Sequence, residues 1–315
     1  MNFICAFQVL FGAVAGENRG ENAMETPRFL QDPFFWMRSD DRKDERVLSR
    51  LREENAHTVA ATDHLAGLRA ALYAELKGHL KESDESAPVP RGAWEYYRRT
   101  IEGKGYAVHC RRPRGSAAGT SSGYVRLKAA EARGEGSLAG EEVILDENAL
   151  AAANTKSSFT SVGLVSPSPS QRLLAYTVDC DGGETYDLVV TRLGNGGGEI
   201  DRVPNVDSGA VWGGDDEHLY YLKMDAAHRP FQVWRHTVGT SGATDELLFE
   251  EPNELFWVGL DKTLDGKFAL ISTGSKESSE VHTIDLAAAK AKPVLVAARR
   301  PKVRHRIPRE SPCVQ

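Results

Sequence analysis

Two textures of apolar and polar positions divide the chain. From Asp44 to about Leu80 the apolar residues fall at helical spacing: Val47, Leu48, Leu51, then Leu65, Leu68, Leu72, Leu76 and Leu80. Residues three and four apart share one face of a helix, so the run predicts an amphipathic helical segment with a charged opposite face. Asp44 suits an N-cap and Thr62-Asp63 a second start, while Lys77, His79 and Lys81 put cations where the helix dipole favours them. One broken helix or two successive helices is expected. The segment Ser83 to Pro90 (SDESAPVP) ends it, because two prolines and short polar side chains cannot continue the ladder.

Beyond that break the chain turns to short runs rich in Val, Tyr, Trp, Leu and Thr, separated by Gly, Asp, Asn and Ser, which is strand and turn chemistry. The runs repeat. A strand at Leu173 (LLAYTV) recurs at Leu219 (LYYLKM) and Phe268 (FALIST), a period of 46 to 49 residues. Each is followed by a second run, at Asp187 (DLVVTRL), Gln232 (QVWRHTV) and Glu280 (EVHTIDL), and preceded by another, at Val162, Gly209 and Phe256. A fourth closes each unit at Glu199, Asp245 and Pro293. Four strands per repeat at this period predict β-propeller blades. The stretch from Ala93 (AWEYYRR) through Tyr106 (YAVHCRR) to Val143 (VILDE) makes an earlier, less regular unit, so about four blades are expected. The fold class is all-β with an N-terminal α-helical arm: a partial propeller of about four four-stranded antiparallel blades.

Composition narrows the function classes. Of 315 residues, 41% are hydrophobic and 27% charged, the balance of a globular protein. A formal net charge of -6 gives no global attraction to nucleic acid or anionic membranes, and neither is expected as a partner. Cys5, Cys110, Cys180 and Cys313 form no CxxC pair and no dense framework, so they are read as free thiols in a reducing, cytoplasmic setting. The apolar stretch within Met1 to Gly16 lacks a cationic lead and is too short to span a bilayer as a helix.

Several blocks then resemble, in one order, the N-terminal region of the oligopeptidase B branch of the prolyl oligopeptidase family of serine peptidases. They are Asp32 to Arg38 (DPFFWMR), Arg52 to Thr58 (REENAHT), Tyr96 to Arg112, Glu141 to Ala151, Ser166 to Val190, Leu219 to Val238 and Asp245 to Thr273. The resemblance spans roughly residues 32–301. It implies a seven-bladed propeller capping an α/β-hydrolase domain, with the helical arm lying along that domain. It also implies cleavage of short peptides after Arg or Lys, and a serine, aspartate and histidine that follow the propeller in the chain. After about Val303 the match dissolves into a basic tail (Arg304, His305, Arg306, Arg309). No catalytic residue carries over, and no cofactor-binding or metal residue either. The expected division is an unassigned disordered leader over 1–31, a helical arm over 32–82, a linker over 83–91, a partial propeller over 92–303 and a disordered tail over 304–315, with the hydrolase domain absent.

Single motifs add little. Gly119 to Gly123 (GTSSG) fits the GxSxG elbow and makes Ser121 a formal nucleophile, but it sits in a Gly, Ser and Ala tract where a hairpin loop is the better reading. Asp179 to Glu184 (DCDGGE) opens like a calcium loop, yet Glu184 stands where Gly is needed and Val190 where a bidentate Glu is needed, so a β-turn is expected. Glu53, His57 and His64 fall near one helical face without HExxH spacing and read as a solvated or docking face. His109 and Cys110 point to opposite sides of a strand and cannot share an ion. Trp94, Trp212, Trp234 and Trp257 are expected to pack between blades. Phe34, Phe35 and Trp36 precede the helix and are expected to dock on the hydrolase domain, staying partly exposed here. The cations of Arg299 to Arg309 lack aromatic interleaving and read as a solvated end.

The leading expectation is therefore the propeller portion of a serine-type endopeptidase, itself catalytically inactive, with a gating or docking role toward peptides and a hydrolase domain. The alternatives are a free-standing propeller that binds a partner, and an incomplete gene reading of a full peptidase.

Overall fold

The computed structural model describes residues 32–115, 140–194, 197–288 and 290–305. The chain divides into two compact units, with the division in the sequence between His79 and Leu80.

The first unit is helical. Helix α1 (Glu45–Thr62) starts where the Asp44 carboxylate accepts the Arg46 N–H at 2.9 Å, the expected cap. Near its end the Thr58 and Thr62 hydroxyls donate back to the carbonyls of Glu54 (2.9 Å) and Thr58 (2.8 Å). Such back-bonding competes with the ladder, and a 3-10 turn at Asp63–Leu65 follows before helix α2 (Ala66–Gly78). No residue of either helix is buried, and Leu68, Leu72 and Leu76 of the predicted apolar stripe are exposed.

The second unit holds four sheets, each a four-stranded antiparallel meander of consecutive strands. The first is β1 (Val89–Arg91), β2 (Trp94–Arg99), β3 (Val108–Pro113) and β4 (Glu142–Asp146). The second is β5 (Ser161–Pro167), β6 (Leu173–Asp179), β7 (Tyr186–Arg192) and β8 (Glu199–Val206). The third is β9 (Ala210–Trp212), β10 (His218–Met224), β11 (Pro230–Thr237) and β12 (Glu246–Glu250). The fourth is β13 (Trp257–Lys262), β14 (Phe268–Gly274), β15 (Ser279–Asp285) and β16 (Val294–Ala297). These are the blades that the repeat predicted.

Successive side chains of a strand point to opposite faces, and in the middle strands of the second and third blades both faces are covered by neighbouring blades. In β10, Leu219 and Tyr221 join a core with Ala175, Leu188 and Val190 of the second blade, while Tyr220 and Leu222 join Val258, Ala269 and Ile271 of the fourth. In β6, Leu174, Tyr176 and Val178 pack with Leu145 of the first blade. The core is thus three layers between four sheets, and it explains why these strands read as continuous apolar runs rather than clean alternations. Gly163 permits one close approach: a Cβ there would stand 2.8 Å from the Ser208 side chain and 2.9 Å from the Thr177 hydroxyl.

Three details differ from expectation. The stretch expected as a linker, 83–91, is built into the first blade: Glu85 bridges Arg99, the Ser86 N–H donates to the Arg98 carbonyl at 2.9 Å, and β1 pairs with β2. Pro90 is tolerated there because β1 is an edge strand with exposed residues, where a missing N–H costs little. A short helix, Glu147–Ala153, follows β4, capped by Asp146 accepting from Asn148 N–H (2.8 Å) and Ala149 N–H (3.3 Å). The start of the expected disordered tail is tied down: the His305 N–H donates to the Ser279 hydroxyl at 2.6 Å, and its ring Nε2 lies 3.1 Å from the Ala298 carbonyl.

Candidate functional site

The residues singled out in the sequence are not gathered into one place. Ser121 lies outside the described residues, as do Cys5, Cys313 and the tail beyond His305. Asp179 is spent on a turn, its carboxylate accepting N–H bonds from Asp181 (2.9 Å), Gly182 (2.9 Å) and Glu184 (3.0 Å). Burial acts to raise the Asp179 pKa, but these three donors outweigh it and hold the group below its ordinary range. Glu184 takes the left-handed conformation at φ 57° that closes the turn. Glu53, His57 and His64 are all exposed on the helical unit, Glu53 facing Arg50 at 3.5 Å.

His109 and Cys110 diverge as strand geometry requires. His109 Nε2 meets Glu147 at 2.7 Å, while Cys110 is fully buried with Tyr97 and Val108. Burial, reinforced by the nearby Glu141 carboxylate, pushes the Cys110 thiol pKa up, which makes it an inert core thiol. Cys110 and Cys180 are both free.

The tryptophans divide. Trp212 is 1% exposed, and its Nε1–H donates to the Ser166 carbonyl of the second blade at 2.9 Å. Trp234 packs partly against the same core. Trp94 is half-buried and stacks under the Arg111 guanidinium, 4.0 Å from its ring centre. Trp257 departs from expectation: it begins β13 and is 55% exposed. Phe34 and Phe35 are exposed, whereas Trp36 is half-buried under Arg46 at 4.0 Å.

Polar clusters that no motif announced sit between and within blades. His236 of β11 is fully buried, with Nδ1 2.8 Å from Asp245 and Nε2 2.8 Å from Asp201 of the second blade. The Tyr221 hydroxyl donates to Asp245 at 2.8 Å, and burial, then this carboxylate, raises the phenol's pKa. In the first blade Arg99 and Glu141 form a buried ion pair at 2.9 Å, to which the Tyr97 hydroxyl adds a bond of 2.8 Å. Between the third and fourth blades Arg299 pairs with Glu251 and stacks over Phe256 at 3.7 Å. Each cluster gives buried polar groups the partners without which burial would be costly.

A family model described as the prolyl oligopeptidase N-terminal beta-propeller domain matches residues 14–307. The chain belongs to the prolyl oligopeptidase family. Within it, dipeptidyl aminopeptidase BI of Pseudoxanthomonas mexicana is 36% identical over 251 residues, covering 79% of this chain and 34% of that protein. Oligopeptidase B from Leishmania major superposes with a TM-score of 0.77 at 36% identity, covering 92% of this chain and 38% of that one. Oligopeptidase B from Trypanosoma brucei, in a closed form with covalently bound antipain, gives 0.74 at 34% identity, over 93% and 38%. The chain thus spans a little over a third of the length of these relatives, and its part of the family architecture is the N-terminal propeller.

Peptide hydrolysis by a family serine needs a hydroxyl held by a basic ring. All nine histidines of this chain fall in the described residues. Those whose rings make polar contacts face carboxylates, at His109, His218, His236 and His282, or a carbonyl, at His305. None is hydrogen-bonded to a hydroxyl or thiol among the described residues. Asp215, Glu217 and His218 place three possible ligand atoms within 4.8 Å in the β9–β10 turn, but Asp215 already accepts the N–H groups of Glu217 and His218 at 3.0 Å each. No helix of the described residues is long and apolar enough to cross a membrane.

Proposed function

We propose that this chain serves as the propeller portion of an oligopeptidase B-like endopeptidase acting on short peptides after Arg or Lys, and that by itself it turns over no peptide. The observation that supports the reading is the set of histidine partners: among the described residues every hydrogen bond or ion pair of a histidine ring is to a carboxylate or a carbonyl, and none is to a hydroxyl or thiol. The propeller's part is gating or docking beside an α/β-hydrolase domain. Free Cys110 and Cys180 support a reducing, cytoplasmic setting. The test is hydrolysis of an arginine ester by the purified chain, with and without a separately expressed hydrolase domain of an oligopeptidase B relative. The reading predicts no turnover by the chain alone, and steady turnover by it would refute the proposal.

A second reading, a free-standing interaction module, is favoured by one observation. The fourth blade leaves Val294, Leu295 and Val296 of its edge strand β16 exposed, apolar side chains on a strand paired along one side only among the described residues, and these call for cover. Size-exclusion chromatography separates the two: a clean monomer counts for the module, and self-association or aggregation for a propeller portion that needs its hydrolase partner.

A further inference from the structure

At one end of the second unit the inner hairpin turns of all four blades converge. Arg91 closes β1, Pro167 to Gln171 join β5 to β6, Gly213 and Gly214 follow β9, and Lys262 to Gly266 lead from β13 toward β14. Together they line a cavity of about 600 Å³. Its ionisable lining is Arg91, Lys262 and Asp265.

The cations are not matched by carboxylates. Neither Arg91 nor Lys262 takes part in a salt bridge among the described residues, although they come from the first and fourth blades and face the same space. Asp265 is occupied elsewhere: it accepts from the Thr263 hydroxyl (2.7 Å) and the Lys267 N–H (3.1 Å), and Lys267 Nζ lies 3.4 Å away. Arg111, which also reaches this end through its 2.6 Å bond to the Gln171 carbonyl, is already paired with Glu142. Burial, and then the like charge of Arg91, depress the Lys262 pKa. A half-buried ammonium beside a second cation, with neither in a salt bridge among the described residues, is an arrangement that folding alone disfavours and an anion between them reverses.

We infer that this mouth is a binding site for a small anionic ligand bearing two negative charges, on one phosphoryl group or on paired carboxylates, held between Lys262 and Arg91. The cavity is within the size range of small-molecule sites, and its walls are loop turns set on rigid strands. The inference does not depend on the peptidase reading, since it rests on lining residues alone.

The test is calorimetric titration of the full chain with inorganic phosphate and, separately, malonate at constant ionic strength. It includes the variants Lys262→Gln and Arg91→Gln and the control Lys276→Gln, whose exposed lysine lies in the turn after β14. Saturable binding is expected in the unaltered chain and the control, weakened about ten-fold or more by either site variant, the effect of losing one charge-assisted contact. Phosphate without malonate assigns the site to phosphoryl oxygens, and the reverse to paired carboxylates. No saturable binding of either anion, or equal binding by the site variants, overturns the inference. Should Lys262→Gln fail to fold, Arg91→Gln, at an exposed position, carries the test.

Discussion

Replacing Trp212 by alanine removes the largest fully buried side chain from the layer between the second and third blades. Truncating a buried Trp costs about 3–5 kcal/mol through lost apolar burial and the cavity left behind. The indole N–H also satisfies the Ser166 carbonyl at 2.9 Å, and leaving that acceptor without its partner adds about 1 kcal/mol. Against a whole-domain stability of about 5–15 kcal/mol, the variant should lose a large share of its margin. Trp257→Ala is the internal comparison. More than half of that ring is in solvent, at 55% exposure, so about 1 kcal/mol is expected. Trp212→Phe, which keeps most of the area and loses the donor, should fall between them. Urea unfolding followed by far-UV circular dichroism reads all three without interference from the five tryptophans' fluorescence. Equal losses at Trp212 and Trp257 would refute the layered packing.

Two further outcomes follow from the same geometry. A Cβ at Gly214 would stand 2.6 Å from the Leu286 carbonyl oxygen across the third and fourth blades, so Gly214→Ala should cost about 1–3 kcal/mol in the same urea assay. His282 is held neutral: burial lowers its pKa below the ordinary 6.5, the Arg299 charge adds to that, and Glu280 opposes it. The unfolded chain therefore takes up a proton that the folded chain refuses, and stability should fall as pH drops below about 6.5. His282→Gln should flatten that slope, measured as unfolding midpoints at neutral and mildly acidic pH.

The blades were legible because their middle strands are rich in buried apolar residues, on both faces in the second and third blades, and repeat at a near-constant interval. LLAYTV, LYYLKM and FALIST become β6, β10 and β14. The strand β1 was not, since Val89-Pro90-Arg91 carries a proline and no buried residue, and only its pairing to β2 makes it a strand. The helix Glu147–Ala153 left a usable signal, an Asp N-cap before an Ala-rich run, that a strand reading of the neighbouring block obscured. Trp257 shows the limit of alternation as evidence: it tells which residues share a face, not whether another sheet covers that face. The polar sites were hidden for a different reason. Asp201, His236 and Asp245, or Arg91 and Lys262, meet only because separate blades bring distant residues together, and no local spacing encodes that.

The proposal that this propeller portion turns over no peptide by itself rests on the histidine partners among the described residues. Its most direct test is exposure of the folded chain to a fluorophosphonate, which phosphonylates only an activated serine, followed by intact mass measurement. An unmodified mass is predicted, and a stoichiometric single adduct, above all one mapping to Ser121, would contradict it.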